Sequence, residues 1–395
     1  MIYTSLLIIA FLFVVLESMS LQYFYCRRDK NYTVLKADKA FKIVSYCLLT
    51  ITLTLISALR GGIGTDWISY KKIFDTILYS PELVNKIYNG VENGYLFVNV
   101  IMSKFTNNYF ILQFILSILT CSVVFVNFWK KSKVPFGLLF IYYVTNYFSI
   151  NFEIVRQGFA TVIVILGLKA IRKRNFFMWI LVITLAMQFH VSAIVAFPLY
   201  FTTYKQISKN FAIVILCVSL LITFFGNFFI RTVLISLEIL PFLPKRINHL
   251  LSMYLAVSSK HGKLVEFNSG FGIIVVYAIY SFMVFLCFKK QRNKSKDYYL
   301  LNFMIYLLIM AIGRNVEVLG RCATYYFISG NGIFAYGLIF EKDKFFYKKM
   351  DTIRIFIVFL FITFFTLTFY KSFYKKRPSG KSNADYYIPY KTFLD

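Results

Sequence analysis

Long apolar runs, separated by short charged connectors, recur along almost all 395 residues of the chain. In lipid every backbone N–H and C=O must be paired within the protein, and runs of this kind meet that need as helices. Runs close to the ~20 residues needed to cross a bilayer lie at 2–25, 40–59, 108–129, 134–151, 155–171, 176–189, 191–203, 211–230, 270–288, 298–313, 322–340 and 353–370. The sequence therefore predicts an all-α, polytopic transmembrane helical bundle, a single domain of about 11–12 membrane segments.

The composition favours a membrane protein and argues against a nucleic-acid binder. Hydrophobic residues make up 59% of the chain, whereas soluble domains are about 45–50% apolar. The net charge of +27 is spread over connectors between apolar runs, as the positive-inside rule expects, and no soluble basic domain carries it. It suits a lipid bilayer and phosphate-bearing substrates. The scattered histidines and cysteines lack metal-ligand spacing, so we predict no metal and no cofactor.

The basic connectors set the orientation of the chain. Lys and Arg are concentrated at 27–39, 130–133, 172–174, 289–296 and 342–349. These connectors are predicted to be cytoplasmic, and counting crossings between them places three segments outside: the loop 60–107, the long loop 231–268 and the tail 371–395. The stretch 176–203 must then go out and back, which predicts a short or re-entrant hairpin with its tip near Gln188-Phe189-His190.

A glycine-rich polar stretch follows the second apolar run. It reads Arg60-Gly-Gly-Ile-Gly64-Thr65-Asp66, and glycine permits backbone conformations that are closed to other residues. The glycine amides can approach a ligand, or they can simply make a tight turn. Thr65 or Asp66 is a suitable N-cap for the helical pattern that begins at Trp67. That pattern places one apolar face inward, made of Tyr70, Ile73, Phe74 and Ile77.

Polar features from distant parts of the sequence fall at the outer face in this topology. They are the stretch 60–66, the segment 151–157, His190 with Ser192, the segment 314–321 and the aromatic tail 385–390. Ionisable residues at membrane depth are costly and commonly face a cavity or a partner. Arginine matches phosphate oxygens with its planar fork. Together these features predict an outward-facing pocket with up to four arginines, at positions 60, 156, 314 and 321.

Each of these residues also has a structural explanation. Arg60 and Arg156 could extend to the membrane interface, and His190 could be a hydrogen-bonded core residue. Glu317 and Arg321, or Glu153 and Arg156, could pair along one helix face. Tyr325 and Tyr326 are typical of interface aromatics. No single residue identifies a function.

Taken in order, the motifs resemble the EpsG family, Wzy-like oligosaccharide repeat-unit polymerases of bacterial exopolysaccharide, capsule and O-antigen clusters. The matching residues are Arg60…Gly64-Thr65-Asp66-Trp67…Tyr70, Arg156-Gln157…Ala160, Phe189-His190-Val-Ser192, Glu317…Arg321…Tyr325-Tyr326-Phe327 and Pro389-Tyr390. Their order and spacing agree along nearly the whole chain, although Trp67 stands where the family more often has tyrosine.

The resemblance implies a multi-pass glycosyltransferase of the bacterial cytoplasmic membrane whose active site faces outside or the periplasm. A growing glycan would pass from undecaprenyl diphosphate onto the sugar of a lipid-linked repeat unit, without a nucleotide sugar. A chain-length regulator would be a further partner. The residues in the matching motifs would form the substrate-binding set, namely Arg60, Gly64, Thr65, Tyr70, Arg156, Gln157, Arg314, Glu317, Arg321 and Tyr325.

The charges indicate how such a transfer would work. Fixed arginines can stabilise the charge that develops on a diphosphate leaving group, and we assign this role to Arg156 and Arg321, helped by Arg60 or Arg314. The acceptor hydroxyl needs a base within hydrogen-bonding reach. Asp66 and His190 are the candidates, and the sequence does not choose between them.

Other classes of protein remain open at this stage. A lipid-linked oligosaccharide flippase or another transporter would be expected to show polar residues on both sides of the midplane, or an internal repeat. A membrane-bound O-acyltransferase could use His190 as its base, but a second histidine or asparagine partner is not evident. A receptor or scaffold has no separate domain to support it.

Overall fold

The computed structural model describes residues 2–26, 32–88, 90–132, 134–202, 207–238, 277–279, 281–282, 284, 294–313, 317–327, 362–367, 369–371, 373–374 and 383–393. The regular elements of these residues are helices, as the all-α prediction requires. The chain divides into two compact units. The first comprises Met1–Phe197 and Ile339–Asp395, and the second Pro198–Leu338.

The α-helices follow one another with short connections in the described ranges. They are α1 (Ile2–Cys26), α2 (Tyr32–Ala58), α3 (Trp67–Tyr79), α4 (Val84–Ile87), α5 (Asn93–Ser103), α6 (Tyr109–Lys131), α7 (Pro135–Tyr142), α8 (Val155–Arg172), α9 (Phe176–Met187), α10 (Lys209–Glu238), α11 (Lys294–Gly313) and α12 (Glu317–Tyr326). Two π-helical turns, Tyr143–Tyr147 and Ser149–Glu153, continue α7. A 3-10 helix, Val191–Tyr200, follows α9.

Two stretches of the described helices are long and apolar enough to cross a bilayer, Lys39–Ala58 and Tyr109–Lys130. Shorter apolar helices are Ile2–Glu17, Phe176–Met187, Val191–Tyr200, Lys209–Phe225 and Leu300–Gly313. The predicted runs 270–288, 322–340 and 353–370 lie largely outside the described residues. The predicted number of membrane segments therefore stays a prediction.

The predicted run 134–151 does not form one continuous α-helix. Helix α7 ends at Tyr142 and π-helical geometry takes over. The side-chain amide of Asn151 donates to the Tyr142 hydroxyl (2.8 Å) and to the Tyr147 carbonyl (2.9 Å). A polar side chain inside an apolar run thus finds its partners within the same segment. Such π-helical turns are frequent at functional sites.

Helices α2 and α6 lie antiparallel in the first unit. Near one end the Tyr46 hydroxyl donates to the Phe125 carbonyl at 2.9 Å. Near the other end the side-chain amide of Gln113 donates to the Ala58 carbonyl at 2.9 Å. The segment 60–107, predicted as an outer loop, therefore begins and ends at the same end of this helix pair.

Helix α3 has the inward face that the sequence predicts. It begins at Trp67, which is buried, and the predicted face of Tyr70, Ile73, Phe74 and Ile77 is buried with it. Asp66 occupies the N-cap position, as predicted, but its side chain makes no capping hydrogen bond. The predicted N-cap position is therefore confirmed, but the capping hydrogen bond is not formed. The Asp66 carboxylate is thus available for other contacts.

The predicted hairpin is present and short. Its tip lies at Gln188–His190, between α9 and the 3-10 helix Val191–Tyr200. The indole N–H of Trp179 donates to the Phe197 carbonyl at 3.1 Å and joins the two arms. Twelve residues of α9 extend about 18 Å, less than the ~30 Å hydrocarbon core of a bilayer. A re-entrant path stays a prediction.

An aromatic cluster joins α1, the π-helical turns and the C-terminal part of the first unit. The ring of Phe148 lies 5.2 Å from those of Tyr3 and Phe373, and 5.3 Å from that of Tyr387, between centroids. Aromatic pairs at these separations contribute beyond the area they bury. The cluster thus holds residues near both ends of the sequence against one core segment.

The second unit is built around α10, α11 and α12. The Thr202 hydroxyl donates to the side-chain carbonyl of Asn302 at 2.9 Å, and the hydroxyls of Thr223 and Tyr277 lie 2.6 Å apart. Helix α10 continues to Glu238. The long outer loop, predicted to begin at 231, is therefore helical at its start, and residues 239–268 lie outside the described part.

Candidate functional site

The stretch after α2 is a turn closed by residues from the C-terminal tail. The Gly61 N–H donates to the Lys391 carbonyl (2.9 Å), and the Phe393 N–H donates to the Leu59 carbonyl (3.0 Å). A Cβ atom on Gly61 would lie 2.2 Å from the carbonyl oxygen of Thr392. Glycine is therefore needed here because another backbone passes so close. The tail lies at the same end of the first unit as this turn.

Arg60 is buried inside the turn, with 0% of its surface exposed. Its guanidinium donates to the Ser57 carbonyl and lies 3.4 Å from the Ser117 hydroxyl oxygen. The ring centroid of Phe152 is 4.9 Å away. No described carboxylate pairs with it, and burial lowers its pKa. Arg60 is therefore enclosed by protein rather than exposed in a pocket, and its depth relative to a membrane interface stays a prediction.

A polar face on the otherwise apolar α6 completes this environment. The Gln113 amide donates to the Arg60 carbonyl (2.8 Å) and accepts from the Trp67 indole N–H (2.7 Å). Ser117, one turn further along, lies within reach of Arg60. Residues four apart share a helix face. This spacing was the signal in the sequence, and it was missed because the run was interpreted only as a membrane span.

The remaining residues of the turn differ in exposure. Gly64 has φ +107°, and a Cβ there would lie 2.5 Å from the Phe152 carbonyl oxygen, so the position requires glycine. Thr65 is exposed and Asp66 is half-buried. The Asp66 carboxylate has neither a hydrogen bond nor an ion pair with any described residue. Its carboxylate oxygens, at the start of α3, are hydrogen-bond acceptors for a ligand hydroxyl.

Arg156, at the first turn of α8, pairs with Glu92, the residue that precedes α5. The side chains are 24% and 14% exposed, so the pair is reachable from solvent. The guanidinium also lies 6.0 Å from the ring centroids of Tyr70 and Tyr95, a distance at which cations are attracted to aromatic faces. Arginine, carboxylate and two tyrosines thus form one half-buried cluster.

Glu92 also connects Arg156 to the tip of the hairpin. Its second carboxylate oxygen accepts from the Val191 N–H at 3.2 Å. Nearby, the Gly94 N–H donates to the Gln188 carbonyl at 2.8 Å. The sequence interpretation missed Glu92. The available signal was an acidic residue in the predicted outer loop of a chain with 17 acidic and 44 basic residues.

His190 lies at the hairpin tip and is half-buried. The Ser192 N–H donates to its Nδ1 (3.3 Å), and the Ser192 hydroxyl oxygen lies 2.6 Å from the same atom. An N–H directed at Nδ1 requires a lone pair there. This contact favours the tautomer of the neutral imidazole with its proton on Nε2, in which Nε2 is a donor.

Glu153 does not pair with Arg156, contrary to one of the sequence interpretations. Its carboxylate accepts from the Tyr387 hydroxyl at 2.6 Å, while its backbone carbonyl accepts from the Tyr70 hydroxyl at 3.0 Å. Burial, and then the Glu153 carboxylate, raise the pKa of Tyr387, so this hydroxyl stays protonated and donates. The tail residue Tyr387 thereby fixes the segment that leads into Arg156.

The other predicted site residues are placed as follows. Gln157 is 1% exposed and belongs to the core of the first unit. Arg321 is half-buried and Tyr325 is fully buried, both in α12 of the second unit. Arg314 lies outside the described residues, and for Glu317 only its place at the start of α12 is described. The structure brings the turn at 60–66, Glu92, residues 153–157, the hairpin tip and the tail to one end of the first unit.

Apolar helices, two of them long enough to cross a bilayer, together with a charged cluster at one end of the first unit suggest a helical membrane protein. The model of the EpsG family matches residues 43–392. The chain therefore belongs to the EpsG family, a family of Wzy-like polymerases, and the resemblance found in the sequence is confirmed. No curated protein and no solved structure was found to match it. The family points to a polymerase of polysaccharide biosynthesis with a lipid-linked oligosaccharide as substrate.

Proposed function

We propose that this chain is a repeat-unit polymerase that transfers a growing glycan from undecaprenyl diphosphate onto a lipid-linked oligosaccharide. The transfer takes place at the outer face of the bacterial cytoplasmic membrane, which the chain crosses about 11–12 times as a helical bundle. One observation carries the proposal. Glu92 connects Arg156 to the backbone of the hairpin tip, at the residue that follows His190.

Arg156 is the proposed binding residue for the diphosphate of the donor. Its guanidinium already holds an anionic group, the Glu92 carboxylate, and 24% of its side chain is exposed. A diphosphate presents the same type of oxygen acceptor with more charge. Held in a half-buried site, Arg156 would stabilise the charge that develops on the departing diphosphate.

Asp66 is the proposed base and His190 the proposed donor. The bond between the anomeric carbon and the diphosphate oxygen breaks, and its electron pair leaves with the diphosphate. The acceptor hydroxyl oxygen forms the new bond to that carbon, and its proton passes to the Asp66 carboxylate. His190 carries its proton on Nε2 and so donates a hydrogen bond to the leaving oxygen, rather than acting as the base.

The buried members of the predicted set hold this geometry instead of touching the substrate. Arg60, Tyr70 and Gln157 are 0%, 4% and 1% exposed. Gly64 allows the close approach to Phe152, and Thr65 is exposed beside Asp66. Contacts of the lipid-linked substrate with Arg314, Glu317, Arg321 and Tyr325 stay predictions.

Glycan analysis of a deletion strain complemented with variants tests the proposal. Arg156→Ala should leave single repeat units on the lipid, with chain extension slowed about 100-fold or more while the amount of protein stays normal. Arg172→Ala is the matched control, because Arg172 is an exposed arginine at the opposite end of the same helix. It should retain the full ladder of chain lengths.

Three results would contradict the polymerase. A full ladder of chain lengths with Arg156→Ala would show that Arg156 is not the proposed diphosphate-binding residue. Lipid-linked units trapped on the cytoplasmic side of the deletion strain would indicate a flippase. A ladder of normal length that lacks only acyl groups would indicate an O-acyltransferase.

A further inference from the structure

A groove beside the second half of α3 is not part of the site described above. It has a volume of about 570 Å³ and is lined by Lys71, Asp75, Tyr79, Asn107, Asn108 and Tyr109. Small-molecule sites commonly measure ~300–1,000 Å³. The groove therefore has room for a ligand, and its lining differs from that of the Arg156 cluster.

The lining combines an exposed aromatic ring with amide side chains. Tyr79 is 73% exposed, which is a large fraction for an aromatic residue of an ordered helix. Asn107 is exposed, and its side chain makes no hydrogen bond to a described residue. Asn108 uses its carbonyl to accept from the Phe110 N–H at 2.9 Å, so its two amide N–H donors remain for a ligand.

The charges of the groove balance. Lys71 and Asp75 form an ion pair of 2.6 Å on its wall. A balanced pair does not select a free phosphate or a nucleotide, which require excess positive charge. A lipid chain would require an apolar lining. A pyranose ring fits both features, because its C–H face packs on an aromatic ring and its hydroxyls need donors and acceptors together.

The groove lies along the helix that begins next to the proposed base, Asp66. Lys71, Asp75 and Tyr79 recur at four-residue spacing along α3, so they share one face. The same helix begins next to Asp66, and its length of 13 residues corresponds to about 20 Å. An oligosaccharide whose reacting hydroxyl lies at Asp66 would have to curve around α3 to reach this face, over a length of helix of no more than about 20 Å.

We propose that this groove is a saccharide-binding subsite for sugars of the lipid-linked repeat unit away from the bond that forms. This proposal rests on the proposed polymerase function. It adds that the groove is where the enzyme selects the repeat unit. Tyr79 supplies the stacking face, and Asn107 and Asn108 bind hydroxyls. Within the Lys71–Asp75 pair, the Lys71 ammonium donates to a further sugar hydroxyl and the Asp75 carboxylate accepts from one.

Saccharide binding by the full-length protein in nanodiscs tests the subsite. The probe is the set of oligosaccharides freed by partial acid hydrolysis from the polysaccharide of the strain that encodes the chain. Calorimetry should show binding by the wild type, and at least tenfold weaker binding by Tyr79→Ala and by Asn107→Ala. Phe105→Ala, which removes an 80% exposed aromatic residue outside the groove, should bind as the wild type does.

The same variants separate this subsite from the polymerase itself. Arg156→Ala should bind the free oligosaccharides normally, since they carry no diphosphate, and yet form no long chains. The subsite proposal would be wrong if both groove variants bound the oligosaccharides as well as the wild type, or if the wild type did not bind them. The polymerase proposal would still stand if the ladder of chain lengths depended on Arg156. If oligosaccharide binding depended on Tyr79 but Arg156→Ala still made the full ladder of chain lengths, the subsite proposal would stand and the polymerase mechanism would be rejected.

Discussion

Arg60 and Arg156 lie at the same end of the first unit, but in opposite environments. Arg60 is fully buried, held by a backbone carbonyl, serine hydroxyls and an aromatic ring, with no described carboxylate as partner. Arg156 is partly exposed and paired with Glu92. The comparison shows that one arginine of a polar sequence motif is enclosed by the fold, whereas the other, which has a carboxylate partner, is partly exposed.

The physical difference lies in what each charge would lose on meeting a ligand. In the proposed mechanism a diphosphate would replace Glu92 at Arg156 without unfolding any element, because one anion would be exchanged for another. Reaching Arg60 would require the turn at 60–66 and the tail to separate, with loss of the hydrogen bonds between them. In the proposed site, Arg60 thus holds the turn at 60–66 in place, whereas Arg156 contacts the diphosphate of the substrate.

The largest effect that this comparison predicts is on stability, at Arg60. Arg60→Ala leaves a cavity and removes the donor to Ser57, so we expect a loss of about 3 kcal/mol in the free energy of unfolding. Arg156→Ala should cost less than ~1 kcal/mol, because its ion pair is partly solvated. Thermal unfolding in detergent, followed by tryptophan fluorescence, measures both. Equal losses in the free energy of unfolding would contradict the conclusion that Arg60 supports the fold more than Arg156 does.

A smaller effect is expected on substrate affinity, at Glu92. Glu92→Gln keeps an acceptor for the Val191 N–H but removes the charge that competes with a diphosphate at Arg156. The KM for the lipid-linked donor should fall about fivefold, on the order of 1 kcal/mol. Initial rates with lipid-linked repeat units measure this. Glu82→Gln, an exposed glutamate in the same loop, serves as the control, and an unchanged KM in Glu92→Gln would rule out the competition.

An effect of similar size, but on stability, is expected at Tyr387, whose hydroxyl donates to Glu153. Tyr387→Phe keeps the ring contact with Phe148 but removes the 2.6 Å hydrogen bond, which should cost about 1 kcal/mol of stability. Tyr386→Phe, at a neighbouring exposed tyrosine, should change nothing. Chemical denaturation of the two variants side by side checks the difference, and identical midpoints would mean that the tail does not support the site.

The sequence predicted those features that depend on local periodicity. The buried face of α3, the position of its cap and the hairpin tip at Gln188–His190 all follow from spacing within a few turns. The presence of several polar motifs at one end followed from the charged connectors. These features required no knowledge of which helix packs against which.

The parts that were missed depend on contacts between distant residues. Glu92 and Arg156 are 64 positions apart, so helical spacing instead suggested Glu153 as the partner. The burial of Arg60 depends on Ser117, which is 57 positions away on a helix that otherwise looks uniformly apolar. No local pattern distinguishes an arginine that faces a pocket from one enclosed by the tail, because the enclosing residues lie elsewhere in the sequence.

The pairing of the Arg60 turn with residues 391–393 has a consequence for the order of assembly. The Tyr390 hydroxyl donates to the Ile56 carbonyl, across 334 positions of sequence. During synthesis on the ribosome, the turn therefore leaves the exit tunnel long before the residues that complete it. The early helices must therefore form with this corner unfinished, and the turn gains its final hydrogen bonds only when the late residues arrive.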